Sequence, residues 1–131
     1  MGVFDLFKKN NTPKEEKKSY VNWTPLTTLS QLETIKKEST NESIAIFKHS
    51  TRCGISRMVI RQFEESFTED MSSLKVYYLD LLNYREISNE VGYTFQVLHQ
   101  SPQLLIIKNG VVVAHASHYD ITQIPIRNFL K

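Results

Sequence analysis

The stretch SIAIFKHSTRCGISRMVI, residues 43–60, joins a strand pattern to a helix pattern through the only cysteine of the chain. Ser43–His49 is a short apolar run with β-branched and aromatic side chains, which is typical of a buried strand. Beyond Cys53 the apolar side chains recur at helical spacing, at Ile55, Met58, Val59, Phe63 and Phe67. The stretch therefore predicts a strand, a short loop and a helix, with Cys53 at the point where the helix begins.

The rest of the chain extends this unit into an α/β domain. Periodicity predicts a helix over Thr27–Glu38, a second strand over Leu74–Leu82, a crossover helix over Arg85–Val91 that ends at Gly92, two strands within Gln103–Ala116 and a last helix over Ile121–Leu130. Asn109-Gly110 joins the last two strands, because this dipeptide accepts the positive φ angles of a tight hairpin turn. These elements predict a central mixed four-stranded sheet flanked by helices.

Composition indicates one globular domain preceded by a polar N-terminal segment. The chain has 131 residues, of which 40% are apolar and 23% are charged. Its net charge of +2 is accounted for by residues 1–20, which hold five basic and three acidic side chains. The remaining chain is balanced and gives no sign of a nucleic-acid surface. We predict that residues 1–19 are a flexible N-terminal extension and that 20–131 are the domain.

The chain also carries predictions about its location. No apolar run approaches the ~18–20 residues that span a bilayer, and the N-terminus lacks the apolar stretch of a signal peptide. With one cysteine no internal disulfide can form. We therefore expect a cytoplasmic protein without a transmembrane segment, whose thiol stays reduced unless an external group reacts with it.

The position of Cys53 favours a reactive thiol. The first turn of a helix has unpaired N–H groups and the positive end of the helix dipole, which together favour thiolate over thiol. Arg52 and Arg57 add positive potential. The alternative is a buried structural cysteine, which its polar and small neighbours disfavour. We expect no metal site, because the four histidines have no ligand spacing with Cys53.

Ser56 stands where a Cys-x-x-Cys motif has its second thiol. Its hydroxyl cannot form a disulfide, but it can cap the helix or donate a hydrogen bond to the thiolate. The alternative is that Ser56 is an ordinary N-cap or first-turn serine with no contact to the thiolate. Ser101-Pro102 immediately precedes an apolar strand, which is an ordinary place for proline.

Three motifs give the chain a resemblance to a known family. KHSTRCGIS (Lys48–Ser56), SPQLLIIKNG (Ser101–Gly110) and AHASHYDIT (Ala114–Thr122) resemble the YtxJ family of monothiol bacilliredoxins, within the thioredoxin-like superfamily. The resemblance covers roughly Trp23–Lys131. That family usually has Thr-Cys-Pro-Ile-Ser around the nucleophile, whereas this chain has Arg52 and Gly54 on either side of the cysteine.

The resemblance implies a thioredoxin-like fold in which Pro102 is cis and lies against the active cysteine. It implies a thiol–disulfide oxidoreductase that removes bacillithiol from S-bacillithiolated proteins, with bacillithiol as co-substrate and no other cofactor. The resolving thiol is then bacillithiol or a second redox protein. The implied catalytic residues are Cys53, Ser56 and Pro102, and the implied substrate-binding residues are Thr51, Arg52, Gly54 and Ser101, with Arg57 as a further candidate.

A rival interpretation is a non-catalytic thioredoxin-fold sensor or adaptor. In that case Cys53 is modified under oxidative stress and binds a partner without turnover. The unusual Gly54 and the charged N-terminal extension are the features that support it.

Overall fold

The computed structural model describes residues 19–130, which form a five-stranded mixed sheet with helices on both faces. In chain order the elements are β1 (Asn22–Pro25), α1 (Ser30–Glu38), β2 (Ile44–His49), α2 (Gly54–Ser66), β3 (Lys75–Asp80), α3 (Arg85–Phe95), β4 (Gln103–Lys108) and β5 (Val111–Ser117). The strands lie in the order β1-β3-β2-β4-β5; the first three are parallel, and β4 and β5 are antiparallel to their neighbours. The predicted α/β fold with a mixed sheet is confirmed, with five strands instead of four.

Side chains of β2 alternate between two cores, because β2 lies at the centre of the sheet and is buried along its whole length. One core packs β2 against α2, and it contains Ala45, Phe47, Val59 and Phe63. The other packs β2 against α1 and α3, and it contains Ile44, Ile46, Leu32, Ile35, Ile87 and Val91. The strand that leads to Cys53 is therefore fixed from both faces.

The edge strand β1 is the element that the sequence does not predict. Its four residues are too few to show an alternating pattern, and its pairing depends on β3, where Trp23 lies opposite Val76. Pro25 closes the strand, which is tolerated because an edge strand has one side without ladder bonds. Trp23 also donates a hydrogen bond from Nε1 to Glu64 Oε2 at 2.7 Å, which ties the edge of the sheet to α2.

The predicted helix end at Gly92 is wrong. Helix α3 continues to Phe95 and ends at Gln96, which has a left-handed backbone with φ of 57°. A Cβ on Gly92 would lie 3.2 Å from the carbonyl oxygen of Val97. The glycine therefore allows the chain beyond α3 to return closely across the end of the helix, and it does not terminate it.

The predicted last helix over Ile121–Leu130 is also wrong. This segment contains two separate 3₁₀ turns, His118–Gln123 and Ile126–Phe129. Pro125 separates them because its backbone (ψ of 81°) is not helical and its nitrogen has no hydrogen to donate. Ile121 and Ile126 are nevertheless buried, so their spacing indicated a buried face and not a helix.

Two other boundaries show how side chains shape the loops. Asn109 and Gly110 have φ angles of 55° and 78°, as predicted for the hairpin turn, and Gly110 N donates to Ser39 Oγ at 2.8 Å. Helix α1 begins at Ser30 instead of Thr27. The reason is that Gln31 Oε1 accepts the N–H groups of residues 27 and 28 and holds them outside the helix.

Within residues 19–130, no helix has the length and apolar character needed to cross a bilayer. The predicted flexible extension lies, apart from Ser19, outside the described residues. Its boundary with the domain at residue 20 therefore stays a prediction.

Candidate active site

Cys53 occupies the N-cap position of α2. Its backbone is extended (φ −104°, ψ 123°), its side chain is partly exposed, and its carbonyl oxygen accepts the N–H of Arg57 at 3.0 Å. A further bond from Cys53 N to the Ser50 carbonyl, at 3.2 Å, folds residues 50–53 into a tight turn after β2. The thiol thus lies at the positive end of the helix dipole, beside N–H groups that have no acceptor within the helix.

Ser56 lies in the first turn of α2 and points into the protein. Its side chain is 0% exposed, its Oγ accepts the N–H of Ser50 at 3.1 Å, and the same oxygen lies 2.8 Å from His49 Nδ1. One hydroxyl therefore connects the end of β2, the start of the loop and the first turn of α2. The N-terminus of α2 has no side-chain cap bond, so Ser56 does not cap the helix. Its hydroxyl instead holds the loop through Ser50 and His49.

His49 is the buried partner of this contact. Burial lowers the pKa of His49, while the carboxylates of Asp80 and Glu64 oppose this shift and Arg57 adds to it. The ring is therefore neutral near pH 7 and has one nitrogen that donates and one that accepts. In the tautomer protonated at Nε2, the Ser56 hydroxyl donates its only proton to Nδ1.

The Ser101-Pro102 peptide is cis, as the resemblance implies. Lys48 of β2 lies opposite Gln103 of β4, so this peptide lies beside the carboxyl end of β2, where the cysteine loop begins. The Pro102 carbonyl accepts the N–H of His118 at 3.0 Å. The loop before β4 is thus connected to the turn after β5.

A third segment packs on the helix that follows Cys53. The 3₁₀ turn His118–Gln123 packs on α2, and the Tyr119 hydroxyl lies 3.8 Å from the sulfur of Met58. Met58 and Ile55 are 44% and 41% exposed on the first turns of α2. The first two turns of the helix after Cys53 therefore present two apolar side chains to solvent.

The structure places the residues predicted from the sequence in two adjoining segments. Thr51, Arg52, Cys53, Gly54 and Ser56 share the loop and first turn of α2, and the first two and Gly54 are exposed. The Thr51 carbonyl accepts a bond from Arg57 Nη1 at 3.2 Å, so that Arg57 also holds the loop. Ser101 and Pro102 lie on the neighbouring strand connection; the Ser101 Oγ is buried and has no hydrogen-bond partner among the described residues.

Sequence reasoning missed the roles of His49 and Lys48. Lys48 is 0% exposed and points to the opposite face of the sheet, where its Nζ lies 3.2 Å from both the Ser88 carbonyl and His99 Nδ1. Burial lowers its pKa to about 8. The available signal was two polar residues inside an apolar strand, since buried polar groups are almost always hydrogen-bonded.

In residues 19–130, no group of three or more His, Cys, Asp or Glu side chains is arranged to hold a metal ion. The chemistry that the described site offers is that of a single thiol.

Comparison with known proteins identifies the family. The family model for monothiol bacilliredoxin BrxC matches residues 24–126. The chain belongs to this family. The resemblance drawn from the three motifs is confirmed, and the match includes the cysteine loop, the cis peptide and the turn at His118.

Solved structures share the fold of this chain. A protein with a thioredoxin fold, assigned as an oxidoreductase, is 28% identical, with a TM-score of 0.69 over 81% of this chain and 94% of that one. Thioredoxin from Malassezia sympodialis is 19% identical, with a TM-score of 0.66 over 86% of this chain and 92% of its own. Thioredoxin O2 from Arabidopsis thaliana is 17% identical, with a TM-score of 0.66 over 84% and 96% of the two chains. The two thioredoxins show the fold alone.

Family and fold together show that the protein is a thiol–disulfide oxidoreductase with thiol redox partners.

Proposed function

We propose that the protein removes bacillithiol from S-bacillithiolated proteins through Cys53. The observation that carries the proposal is the position of the only thiol, at the N-cap of α2 in a chain of the monothiol bacilliredoxin family. A single thiol at a helix N-terminus suits an exchange reaction in which a second, external thiol completes the cycle.

The first step is attack by the Cys53 thiolate on the bacillithiol sulfur of the mixed disulfide. The new S–S bond joins Cys53 to bacillithiol, and the old one breaks, so that the substrate cysteine leaves as a thiolate and takes up a proton from water. The substrate cysteine is reduced and Cys53 is oxidised to the same extent.

The second step restores the enzyme. A thiolate of bacillithiol, or of a redox protein, attacks the bacillithiol sulfur bonded to Cys53 and forms a new disulfide with it. Cys53 leaves as the thiolate and is reduced, while the single resolving thiol is oxidised into the new disulfide, so that the number of S–S bonds is the same before and after the cycle. The reaction needs no other cofactor.

Individual residues have distinct parts in this proposal. Ser56 keeps the position of a second thiol occupied by a hydroxyl and holds the loop through His49 and Ser50. Pro102 and the backbone of Ser101 line the cysteine loop from β4 and contact the incoming disulfide. Thr51, Arg52 and Gly54 are exposed beside the thiol and contact the bound bacillithiol, with Arg52 facing its carboxylates.

A single-turnover experiment tests the proposal. A carrier protein with one exposed cysteine is converted to its mixed disulfide with bacillithiol and mixed with the reduced protein, without any other thiol. We expect mass spectrometry to show bacillithiol transferred to Cys53 and a free thiol on the carrier. The Cys53→Ser variant is the matched control, and it should leave the carrier modified.

Two outcomes would contradict the proposal. One is a carrier that keeps its bacillithiol in the presence of the wild-type protein. The other is a stable disulfide between carrier and Cys53 that added bacillithiol does not resolve, which is the behaviour of a sensor or adaptor.

A further inference from the structure

The connection from α3 to β4, residues 96–102, ends in the Ser101-Pro102 peptide beside the cysteine loop. Its first part is held by the backbone, because Val97 N donates to the Gly92 carbonyl at 3.2 Å. Among the described residues, no backbone–backbone hydrogen bond involves residues 98–101. The part of the connection that leads directly to Ser101-Pro102 is therefore held by side chains.

Two buried polar side chains of the sheet hold this part. Lys48 of β2 lies opposite Gln103 of β4, so both side chains lie on the face of the sheet that packs on α3, and they are 0% and 1% exposed. Gln103 Nε2 donates to the Leu98 carbonyl at 2.9 Å. Lys48 Nζ lies 3.2 Å from His99 Nδ1. Two successive residues of the connection are thus fixed from two adjacent strands.

The contact between Lys48 and His99 has a defined polarity. A lysine ammonium group only donates, so His99 Nδ1 accepts and the ring proton is on Nε2. Burial, together with the positive charges of Lys48 and Arg85, lowers the pKa of His99, which keeps the ring neutral and Nδ1 free to accept near pH 7. Since Lys48 also donates to the Ser88 carbonyl at 3.2 Å, its amine joins α3 to the connection.

This contact costs free energy, because an ammonium group loses its hydration when it is buried. A carboxylate does not offset the cost, since among residues 19–130 the lysines in ion pairs are Lys36 and Lys75. An apolar side chain of similar length, such as methionine, would fill the same space without that cost. The contact fixes His99, which lies two residues before Ser101. Its benefit is therefore expected in the position of Ser101 and Pro102 and not in the stability of the fold.

We propose that the Lys48–His99 contact positions the Ser101-Pro102 peptide for disulfide exchange at Cys53. The inference rests on the proposed function, which assigns contact with the incoming disulfide to this peptide. Lys48 and His99 are positioning residues, since they act through the peptide and contact neither sulfur of the disulfide. Attack on a disulfide should depend on the contact, because its two sulfurs must lie in line with Cys53. Alkylation by a small reagent needs no such alignment and should not depend on it.

A pair of variants at His99 tests this, and His99 is exposed, so that both variants should fold. His99→Ala removes the acceptor, whereas His99→Asn keeps one, because Asn Oδ1 can take the place of Nδ1. The substrate is the symmetric disulfide of a short uncharged peptide: the Cys53 thiolate bonds to one sulfur, and the other peptide leaves as a thiolate. We expect H99A to lower the rate constant of this exchange about fivefold, and H99N to stay within about twofold of the wild type. Alkylation of Cys53 by iodoacetamide should have the same rate in all three proteins.

His115→Ala is the matched control, because His115 is also exposed but lies on β5, opposite Leu105. It should leave both rates unchanged. Equal exchange rates in the wild type and H99A, equal losses in H99A and H99N, or a parallel loss of alkylation in H99A would each overturn the proposal. Failure of bacillithiol transfer in the single-turnover experiment, with normal exchange of the peptide disulfide, would count against the proposed function alone.

Discussion

The hydroxyl of Ser56 lies 2.8 Å from Nδ1 of His49, and the two side chains are 0% and 6% exposed. This contact joins the last residue of β2 to the first turn of α2 across the loop that carries Cys53. Since the same hydroxyl accepts the N–H of Ser50, the loop is closed at both ends by one oxygen atom. The conformation of the cysteine loop therefore depends on two buried side chains.

Ser56→Ala should therefore destabilise the protein and slow exchange. It leaves the partly buried Ser50 N–H and the buried His49 ring without this partner, which costs about 1–3 kcal/mol in unfolding free energy. Urea unfolding measures the loss, and bacillithiol release from a modified carrier measures the rate. In a double-mutant cycle with His49→Ala, we expect a coupling of about 1 kcal/mol, because the two changes remove the same contact.

Ser66→Ala is the control for this prediction. Ser66 is an exposed residue on the same helix, and its hydroxyl donates to the Phe63 carbonyl at 2.8 Å. Its loss should change stability by less than about 0.5 kcal/mol and leave the exchange rate unchanged. Similar effects of the two serine variants would show that the buried contact has no special importance.

The bond from Trp23 to Glu64 should stabilise the edge of the sheet. Glu64→Ala removes a charged acceptor from the partly buried indole N–H, and we expect a loss of about 1–2 kcal/mol. Trp23 is the only tryptophan, so its emission reports the change directly. Glu64→Gln keeps an acceptor oxygen and should lose much less; an equal loss in both variants would mean that the charge and not the hydrogen bond matters.

Gly54→Pro should stabilise the protein. Position 54 is the first residue of α2, where proline is favoured, and Cys53 before it already has the extended backbone that a following proline requires. A Cβ on Gly54 would approach only the side chain of Arg57, at 4.0 Å. We expect an increase of about 0.5–1 kcal/mol in unfolding free energy, mainly because the unfolded chain becomes stiffer.

Gly110→Ala provides the contrasting case, because Gly110 has a φ of 78° that an alanine adopts only with strain. It should lower the thermal midpoint, whereas G54P raises it. A lower midpoint for G54P would show that the backbone at the start of α2 departs from the geometry described above.

Lys48 should make the unfolding free energy depend on pH in the alkaline range. Burial lowers its pKa from 10.5 to about 8, so between these values the unfolded chain binds more protons than the folded one. The unfolding free energy contributed by this residue therefore rises with pH across that window. Relative to Lys48→Met, the wild type should gain roughly 2 kcal/mol between about pH 7 and about pH 10.

The measurement is urea unfolding of both proteins at each pH, in which the other titrating groups cancel. Lys37→Met, at an exposed position, should show no such trend relative to the wild type. A flat difference between the wild type and K48M would mean that the Lys48 amine keeps its ordinary pKa in the folded protein.

The sequence was sufficient for the elements whose burial is periodic and long. Helix α2 and strand β2 follow from the spacing of apolar side chains, and these two elements alone place Cys53 at a helix N-terminus. Strand β1 could not be predicted in this way, because its four residues become a strand only through pairing with β3. The helix predicted after Ile121 is wrong for a different reason. Apolar spacing marks a buried face there, but Pro125 prevents the hydrogen bonds of a helix.

The sequence predicts which residues form the active-site loop, but it does not predict which of them contact one another. Ser56 shares the buried face of α2 with Val59 and Phe63, and this spacing already indicates that its hydroxyl points inward. What spacing cannot show is which buried group meets it, since the position of His49 depends on how the sheet packs on α2.

The packing around Ser56 has a consequence for how monothiol and dithiol proteins could interconvert. A cysteine at position 56 would bring a larger sulfur into a fully buried site and would be a poor acceptor for the Ser50 N–H and a poor partner for His49. A change from one thiol to two would therefore weaken the contacts of the histidine at the end of β2 and of the Ser50 N–H. Both the single cysteine and the packing around Ser56 therefore disfavour a second thiol within this protein.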